Sequence, residues 1–250
     1  MNIVVITRWY NEEFFAPFFL NHYLWTDEII VFLEEKSNDG TLEIIRDYQS
    51  KYSNIKLALC NTGDTLNDRI LSNMMSNAVE VCSKADWIIR ADADEYTFPY
   101  NNEDPREVLK NVKGNVINTW YRWVYRHRTE MDLDPTKPTI WQRRHGGEYT
   151  IWPGMGDKYL KPTIVKPESK IRWNPGEQSY QKNTLIKISP FCFDGVHWQT
   201  ADCENWIQRN YKNESRLSQE NIKNNWGVKK FTEEMIRKEC ESHLDDPQLF

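Results

Sequence analysis

Two aspartates separated by one residue are the part of the sequence best suited to chemistry. The apolar run Asp86–Ala91 leads directly into Asp92 and Asp94. In extended backbone, alternate side chains share a face, so both carboxylates can enter one site. Two hard oxygen ligands with open positions suit Mn²⁺ or Mg²⁺, with phosphate oxygens completing the coordination shell. A solvated acidic turn has the same pattern, so the pair alone does not establish a metal site.

Four strand-like apolar runs alternate with helical periodicity in the first part of the chain. This alternation predicts a parallel sheet with right-handed crossovers. The strands are expected over Asn2–Thr7, Glu28–Leu33, Ile55–Cys60 and Asp86–Ala91, and the helices over Phe14–Trp25, Leu42–Tyr52 and Leu66–Ser83. Ligands of such sheets bind beyond the carboxyl ends of the strands. Acidic residues follow three of these ends, and we expect them to converge on one edge: Glu12, Glu34, Glu35, Asp92 and Asp94.

The second part of the chain is less regular. Strands are expected over Val116–Trp120, Thr139–Arg143 and Leu185–Ser189, and Glu233–His243 is predicted to be a terminal helix. We divide the chain into a domain over residues 1–200, with a nucleotide-binding half at 1–100 and an acceptor-binding half at 101–200. A helical segment follows over residues 201–250.

The order of these motifs resembles that of family-two-like glycosyltransferases of the GT-A fold. In that family the first strand leads into Asn-Glu, the second into Asp-Asp-x-Ser-x-Asp-Gly-Thr, and a later strand into Asp-Ala-Asp-Glu. The corresponding residues here are Asn11-Glu12, Glu34-Glu35-Lys36-Ser37-Asn38-Asp39-Gly40-Thr41 and Asp92-Ala93-Asp94-Glu95, where Glu34 and Glu35 replace the usual aspartates. The match covers roughly residues 1–100. It implies an α/β GT-A fold with a Rossmann-like, mostly parallel central sheet flanked by helices.

The resemblance also implies a donor site. Asp94 would be the principal metal ligand, and Asp92 would face the ribose or the metal. His197, in Gly195-Val196-His197-Trp198, would be a further ligand, although a partly buried structural histidine fits the same sequence. The other residues implied to contact the nucleotide are Thr7, Asn11, Glu12, Glu34 or Glu35, and Arg69.

No motif marks the general base that an inverting transferase requires. Asp157 follows a Gly-rich, Trp-containing segment similar to one that precedes the base in some GT-A enzymes, and Glu148 is the second candidate. A surface carboxylate is an equally good interpretation of either. Two other groups are candidates for contacts with substrate: the tryptophans Trp152, Trp173 and Trp198 as an acceptor platform, with core packing as the default, and the basic residues Arg209, Lys212 and Arg216 over the diphosphate.

Charge, hydropathy and cysteine content argue against several other classes of function. The net charge of -5 disfavours nucleic-acid binding. The longest apolar runs are strand-sized, and we expect neither a membrane span nor a signal peptide. The five cysteines are widely spaced without a Cys-x-x-Cys pair, so we expect no zinc site and no disulfide framework. These features favour a cytoplasmic protein.

The sequence therefore predicts a metal-dependent, inverting glycosyltransferase. It would move a sugar from a nucleoside-diphosphate sugar to a glycan or lipid-linked glycan, as in polysaccharide assembly, with at most peripheral membrane contact. A sugar-phosphate nucleotidyltransferase is the first alternative, but Thr7–Glu13 lacks the Gly-rich loop of those enzymes. A non-catalytic glycan-binding homologue is the second, and the eleven tryptophans are compatible with it.

Overall fold

The computed structural model describes residues 1–99, 103–147, 158–227 and 231–249. Helices flank one mixed sheet of eight strands with the order β3-β2-β1-β4-β7-β6-β8-β5, which confirms the predicted α/β fold class. The strands are β1 Ile3–Trp9, β2 Glu28–Glu34, β3 Ile55–Cys60, β4 Trp87–Arg90, β5 Glu95–Phe98, β6 Val116–Trp123, β7 Lys158–Val165 and β8 Ile188–His197. The helices are α1 Ala16–Tyr23, α2 Thr41–Lys51, α3 Asp68–Val81, α4 Pro105–Asn111, α5 Cys203–Glu214, α6 Gln219–Asn224 and α7 Glu233–Ser242.

The first half of the sheet is parallel, as the alternating pattern predicts. Strand β1 lies between β2 and β4, with Val5 opposite both Ile29 and Ile89, and β3 extends the same direction beyond β2. The β-branched residues of β1 are buried on both faces, as expected where crossover helices cover a parallel sheet. The carboxyl ends of β1 and β4 therefore open on the same edge.

The second half of the sheet departs from the sequence predictions. Strand β7 runs antiparallel to both of its neighbours, β4 and β6, whereas β6 and β8 are parallel. The strand expected over Thr139–Arg143 is wrong: Thr139–Trp141 is a 3₁₀ turn, tied to α1 by the bond from Thr139 Oγ1 to Phe18 O at 3.0 Å. The strand expected over Leu185–Ser189 instead begins at Ile188 and reaches His197. Pairing partners distant in the chain, rather than local propensity, determine these boundaries.

Strand β5 begins directly after the Asp-x-Asp motif and pairs with β8. Glu95 lies opposite His197 in this register. The pairing brings the end of β8 to the acidic motif although 103 positions separate Asp94 from His197.

The C-terminal helices cover the end of β6. Trp123 and Tyr125 pack with Trp206 of α5 and Ile236 of α7 in one buried cluster. Cys203 and Cys240 form a disulfide with a Cα–Cα distance of 6.2 Å. The expectation of no disulfide is therefore wrong for this pair, because the packing of α5 on α7 joins cysteines that sequence spacing does not relate. No helix in the described ranges is long and apolar enough to cross a bilayer.

Candidate functional site

A cavity of about 280 Å³ lies at the carboxyl ends of β1 and β4, beneath α5. Both aspartates of the acidic motif and His197 line it. Its other charged lining residues come from β1, β4, β5, β7, α3, α5 and the connecting loops: Arg8, Glu12, Asp68, Arg90, Glu95, Lys161, Glu177, Arg209, Glu214 and Arg216. The cavity occupies the position where open α/β sheets bind ligands.

Asp94 is the most deeply placed carboxylate of the motif. Its side chain is 2% exposed, and its Oδ2 lies 2.9 Å from His197 Nε2 and in direct contact with Arg209 Nη1. Burial alone would raise the pKa of Asp94, but the positive charges of Arg209 and of His197 when protonated outweigh it and hold that pKa well below its usual range. Asp94 is therefore a carboxylate anion that lies between the Arg209 guanidinium and the ring of His197.

Asp92 and Glu95 belong to a second, connected ion network. Asp92 Oδ1 accepts from Arg90 Nη2 at 2.6 Å, and its Oδ2 lies 3.4 Å from Lys161 Nζ. Glu95 is fully buried and receives Lys161 Nζ at 2.5 Å and Arg90 Nη1 at 3.4 Å. Burial acts to raise the pKa of Asp92, and Arg90 and Lys161 together lower it below its usual range. The network fixes the backbone of the motif, since Glu95 Oε2 also accepts from Asp92 N at 3.2 Å.

The ring of His197 is held on two sides. Tyr159 Oη lies 2.9 Å from His197 Nδ1 and 3.2 Å from Glu95 Oε1, and the ring of Trp123 packs 4.5 Å from the imidazole. A carboxylate only accepts, so the phenol proton of Tyr159 goes to Glu95 and Nδ1–H donates to the phenol oxygen. This chain of bonds turns Nε2 towards Asp94, which is how an outer residue orients a metal-binding histidine.

The first strand end supplies one side of the cavity. Asn11 has a left-handed backbone (φ 53°), which asparagine tolerates better than most residues. Its side chain exchanges two hydrogen bonds with Asn38, at 2.7 and 2.8 Å, and so joins the loop after β1 to the loop after β2. Glu12 lines the cavity with its carboxylate 3.4 Å from Arg209 Nη2. Thr7 is buried within β1, and its hydroxyl has no hydrogen-bond partner among the described residues.

The residues predicted to contact the nucleotide from the end of β2 and from α3 do not line the cavity. Glu34 is buried and bonds to the hydroxyl of Thr62, while Glu35 accepts from Asn61 Nδ2 at 3.1 Å. Arg69 is half exposed and pairs with Glu220 at 2.6 Å. Their assignment to the nucleotide stays a prediction.

The two candidates for the general base, Asp157 and Glu148, lie outside the described residues, as does Trp152. Trp173 and Trp198 are 1% and 0% exposed. The acceptor platform is therefore wrong for these two, because their ring faces are buried in the core and Trp173 Nε1 donates to Pro162 O at 2.9 Å. Trp123, which no motif indicated, is the described tryptophan that lines the cavity.

The donor atoms of Asp94 and His197 fit a divalent cation. Their separation of 2.9 Å is close to the roughly 3 Å between neighbouring ligands of an octahedral ion with bonds of about 2.1 Å. Among the described residues no cluster of three or more His, Cys, Asp or Glu side chains forms a ready metal site. The arrangement thus suits an ion that takes two ligands from the protein and the rest from bound phosphate and water. Asp92, paired with Arg90 and Lys161, stays a predicted ligand.

Several site residues escaped the sequence analysis. Arg90 and Glu95 flank the motif and were visible as charges beside an apolar strand, a signal for buried ion pairing. The place of Lys161 and Glu177 at the cavity was not predicted, because only the β6–β7 register and the loop after β7 bring them there. Arg209 was singled out as a basic residue over the diphosphate, but its contact with Asp94 was not predicted.

No protein-family model and no curated protein matches the sequence. Solved structures with a similar course of the chain include TarS from S. aureus, which is 14% identical with a TM-score of 0.44, over 97% of this chain and 43% of TarS. A fragment of TarS comprising residues 1–349, in complex with UDP-GlcNAc, is 14% identical with a TM-score of 0.43, over 98% of this chain and 72% of the fragment. The mannosyltransferase PcManGT from Pyrobaculum calidifontis, in complex with GDP-Man and Mn²⁺, is 14% identical with a TM-score of 0.40, over 98% and 70% of the two chains. This chain thus spans less than half of full-length TarS, and similarity at this level transfers no residue roles.

Proposed function

We propose that this protein is a metal-dependent glycosyltransferase that uses a nucleoside-diphosphate sugar as donor. One observation carries the proposal: Asp94 and His197 lie 2.9 Å apart in a cavity at the carboxyl ends of parallel strands. Two side chains able to bind a metal ion, beside guanidinium and ammonium groups, can supply the positive charge that binds a diphosphate.

Two arginines in the cavity support an anionic ligand. Arg8 and Arg216 line the wall, and neither forms an ion pair with a described carboxylate, whereas Arg90, Lys161 and Arg209 all do. Arg216 lies over the ring of Tyr10 at 3.3 Å from its centroid. Positive groups that no described carboxylate neutralises, in a partly closed cavity, attract a negatively charged ligand.

The residues of the site have separable roles in this proposal. Asp94 and His197 would hold the cation, which would supply positive charge to the diphosphate as it leaves. Tyr159 and Glu95 orient His197, and Arg90 with Lys161 fixes the motif beneath it. Glu12 lines the wall on which the nucleotide would lie, and Asn11 joins the loop that carries Glu12 to the loop after β2.

The finer parts of the proposal rest on the family resemblance. The acceptor hydroxyl would attack the anomeric carbon, with Asp157 or Glu148 removing its proton, and the nucleoside diphosphate would leave with inversion. The acceptor would be a glycan or a lipid-linked glycan, and the setting polysaccharide assembly in the cytoplasm.

Calorimetric titration of UDP, GDP and dTDP, with and without Mn²⁺, tests the donor site. We expect one nucleotide to bind in a metal-dependent way, and Asp94→Asn to weaken this binding by about 100-fold, since it removes a metal ligand. Asp64→Asn, at an exposed position, is the matched control and should bind as the wild type does. Failure of all three nucleotides to bind in the presence of metal would reject the transferase and favour a glycan-binding module.

A further inference from the structure

Arg209 places a fixed positive charge on the residue that would hold the metal. It projects from α5, and its guanidinium joins Asp94 and Glu12: Nη1 contacts Asp94 Oδ2, and Nη2 lies 3.4 Å from Glu12 Oε1. The side chain is 15% exposed and lies 5.1 Å above the ring of Phe15. Its Nε is buried without a hydrogen-bond partner among the described residues. The guanidinium is therefore held by its two carboxylates rather than by a full set of hydrogen bonds.

The contact involves the same oxygen that faces His197. Asp94 Oδ2 lies 2.9 Å from His197 Nε2 and also touches Arg209 Nη1. A divalent cation bound by Asp94 Oδ2 and His197 would stand beside the guanidinium. Two positive charges this close repel each other in a partly buried site. Arg209 and a divalent cation would therefore compete for Asp94 Oδ2.

The helix that carries Arg209 is anchored independently of this contact. Lys212 Nζ donates to Asn11 O at 2.6 Å and to Tyr10 O at 3.1 Å. Leu66 exchanges backbone bonds with the residues after α5, at 2.6 Å to Arg216 O and 3.0 Å from Ser218 N. The disulfide fixes the other end of α5 to α7. The side chain of Arg209 can leave Asp94 while the helix stays in place.

We propose that Arg209 is an internal counter-cation of Asp94 that a divalent cation displaces, and that the released guanidinium then binds the phosphate of the ligand. The proposal rests on the proposed function and adds a specific exchange of partners to it. In the metal-free protein Arg209 keeps the buried Asp94 neutralised, which a buried carboxylate needs. With metal bound, the same guanidinium meets a phosphate, for which its planar fork is suited.

The exchange predicts opposite effects on two affinities. Without Arg209 the cation meets no competitor at Asp94, so Mn²⁺ alone should bind more tightly. The nucleotide loses its guanidinium, so it should bind less tightly to the Mn²⁺-loaded protein. A residue with only a structural role would weaken both, because its removal disorders the site.

Electron paramagnetic resonance of free Mn²⁺, titrated into the nucleotide-free protein, measures the first affinity. We expect Arg209→Met to bind Mn²⁺ about 10-fold more tightly than the wild type, and to bind the nucleoside diphosphate in saturating Mn²⁺ about 10-fold less tightly. Arg237→Met, on exposed α7 and paired with Glu204 and Glu233, is the control and should change neither. Unchanged or weaker binding of Mn²⁺ to Arg209→Met would overturn the exchange.

A second variant, Arg209→Lys, keeps the test decisive if Arg209→Met does not fold. Arg209→Lys keeps the charge but lacks the fork that reaches both carboxylates, so it should bind Mn²⁺ more tightly than the wild type by a smaller factor. If Arg209→Met does not fold, an affinity of Arg209→Lys equal to or below that of the wild type overturns the exchange. The Mn²⁺ titration uses no nucleotide, so its outcome is separate from that of the nucleotide titration. A wild type that binds Mn²⁺ but no nucleotide rejects the proposed function alone.

Discussion

At the scale of single residues, the site depends on charges that are buried in pairs. Glu95 is fully buried and is neutralised by Lys161 at 2.5 Å and Arg90 at 3.4 Å. Removing one cation leaves a buried carboxylate with incomplete compensation, which costs about 3 kcal/mol or more. We expect Lys161→Met to lower the free energy of unfolding by this amount in urea titration, and the double variant with Glu95→Gln to recover part of it.

An exposed ion pair of similar length provides the control for this prediction. Lys110 and Glu107 lie 2.5 Å apart with both side chains more than half exposed. Lys110→Met should cost less than about 1 kcal/mol, because water compensates the lost partner. Equal losses for Lys161→Met and Lys110→Met would show that the buried network does not stabilise the motif.

Site residues that follow a recognisable local sequence pattern were predicted, whereas those that reach the site through long-range strand pairing were not. Asp92, Asp94 and Glu12 follow apolar strands, and the parallel sheet brings those strand ends together, so pattern alone locates them. His197 needed the resemblance, since its place beside Asp94 depends on the β5–β8 register. The pairing of Lys161 with Glu95 was not predicted, because a lysine beside a buried carboxylate resembles any surface lysine until the strands pair.

At the scale of elements, the disulfide between α5 and α7 secures the helix that carries Arg209. Cys203 and Cys240 are 37 positions apart, and closing a loop of this length stabilises the folded chain by roughly 4 kcal/mol in the chain-entropy account. We expect a reductant to lower the melting temperature of the wild type. The variant with Cys203→Ser and Cys240→Ser should melt at the lower temperature with or without reductant. Two free thiols at these positions in the oxidised protein, found by mass spectrometry, would contradict the disulfide.

Helix α1 carries a histidine whose titration should weaken the fold in acid. Burial lowers the pKa of His22 to about 4 from its usual 6.5, although a hydrogen bond with Thr97 O partly opposes this. Between these values the unfolded chain binds the proton that the folded chain excludes, so stability falls as the pH drops from 6.5 to 4. The loss is at most about 3 kcal/mol.

Unfolding in urea between pH 7 and pH 4 measures this effect. His22→Gln should show a shallower loss of stability than the wild type, because glutamine does not titrate. An unchanged slope in His22→Gln would contradict a neutral buried imidazole.

The strands and helices of the first half of the sheet were predictable from the sequence, whereas several of those in the second half were not. Strands β1 to β4 and their helices follow an alternation that physical patterning predicts well, with differences of at most two residues at any boundary. Strand β5 is four residues long, too short for a periodic signal, and β8 is assembled by pairing with β6 and β5 rather than by its own propensity. The expected strand at Thr139–Arg143 has the composition of a strand but pairs with no strand in the part of the chain that the structure describes.

At the scale of the whole molecule, the C-terminal helices are part of the site and of the core. Trp123 of β6 packs with Trp206 and Ile236, and Arg209 enters the cavity from α5. The predicted boundary between residues 1–200 and 201–250 therefore reflects a change in composition and crosses a shared core. We expect both parts to unfold together. Calorimetry should give one transition with equal calorimetric and van't Hoff enthalpies. Two resolved transitions would indicate that the C-terminal segment folds independently.

The central claim is that the cavity transfers a sugar from a nucleotide, and slow hydrolysis of the donor tests it most directly. In the absence of acceptor, water can attack the anomeric carbon, so that the bond from that carbon to the diphosphate oxygen breaks and the free sugar and the nucleoside diphosphate are released. We predict that one of UDP-glucose, UDP-GlcNAc, GDP-mannose and dTDP-glucose releases its nucleoside diphosphate in the presence of Mn²⁺. The release should stop in Asp94→Asn and persist in Asp64→Asn. Tight, metal-dependent binding of a nucleotide without hydrolysis of any of the four donors, or hydrolysis that Asp94→Asn leaves unchanged, would contradict the account.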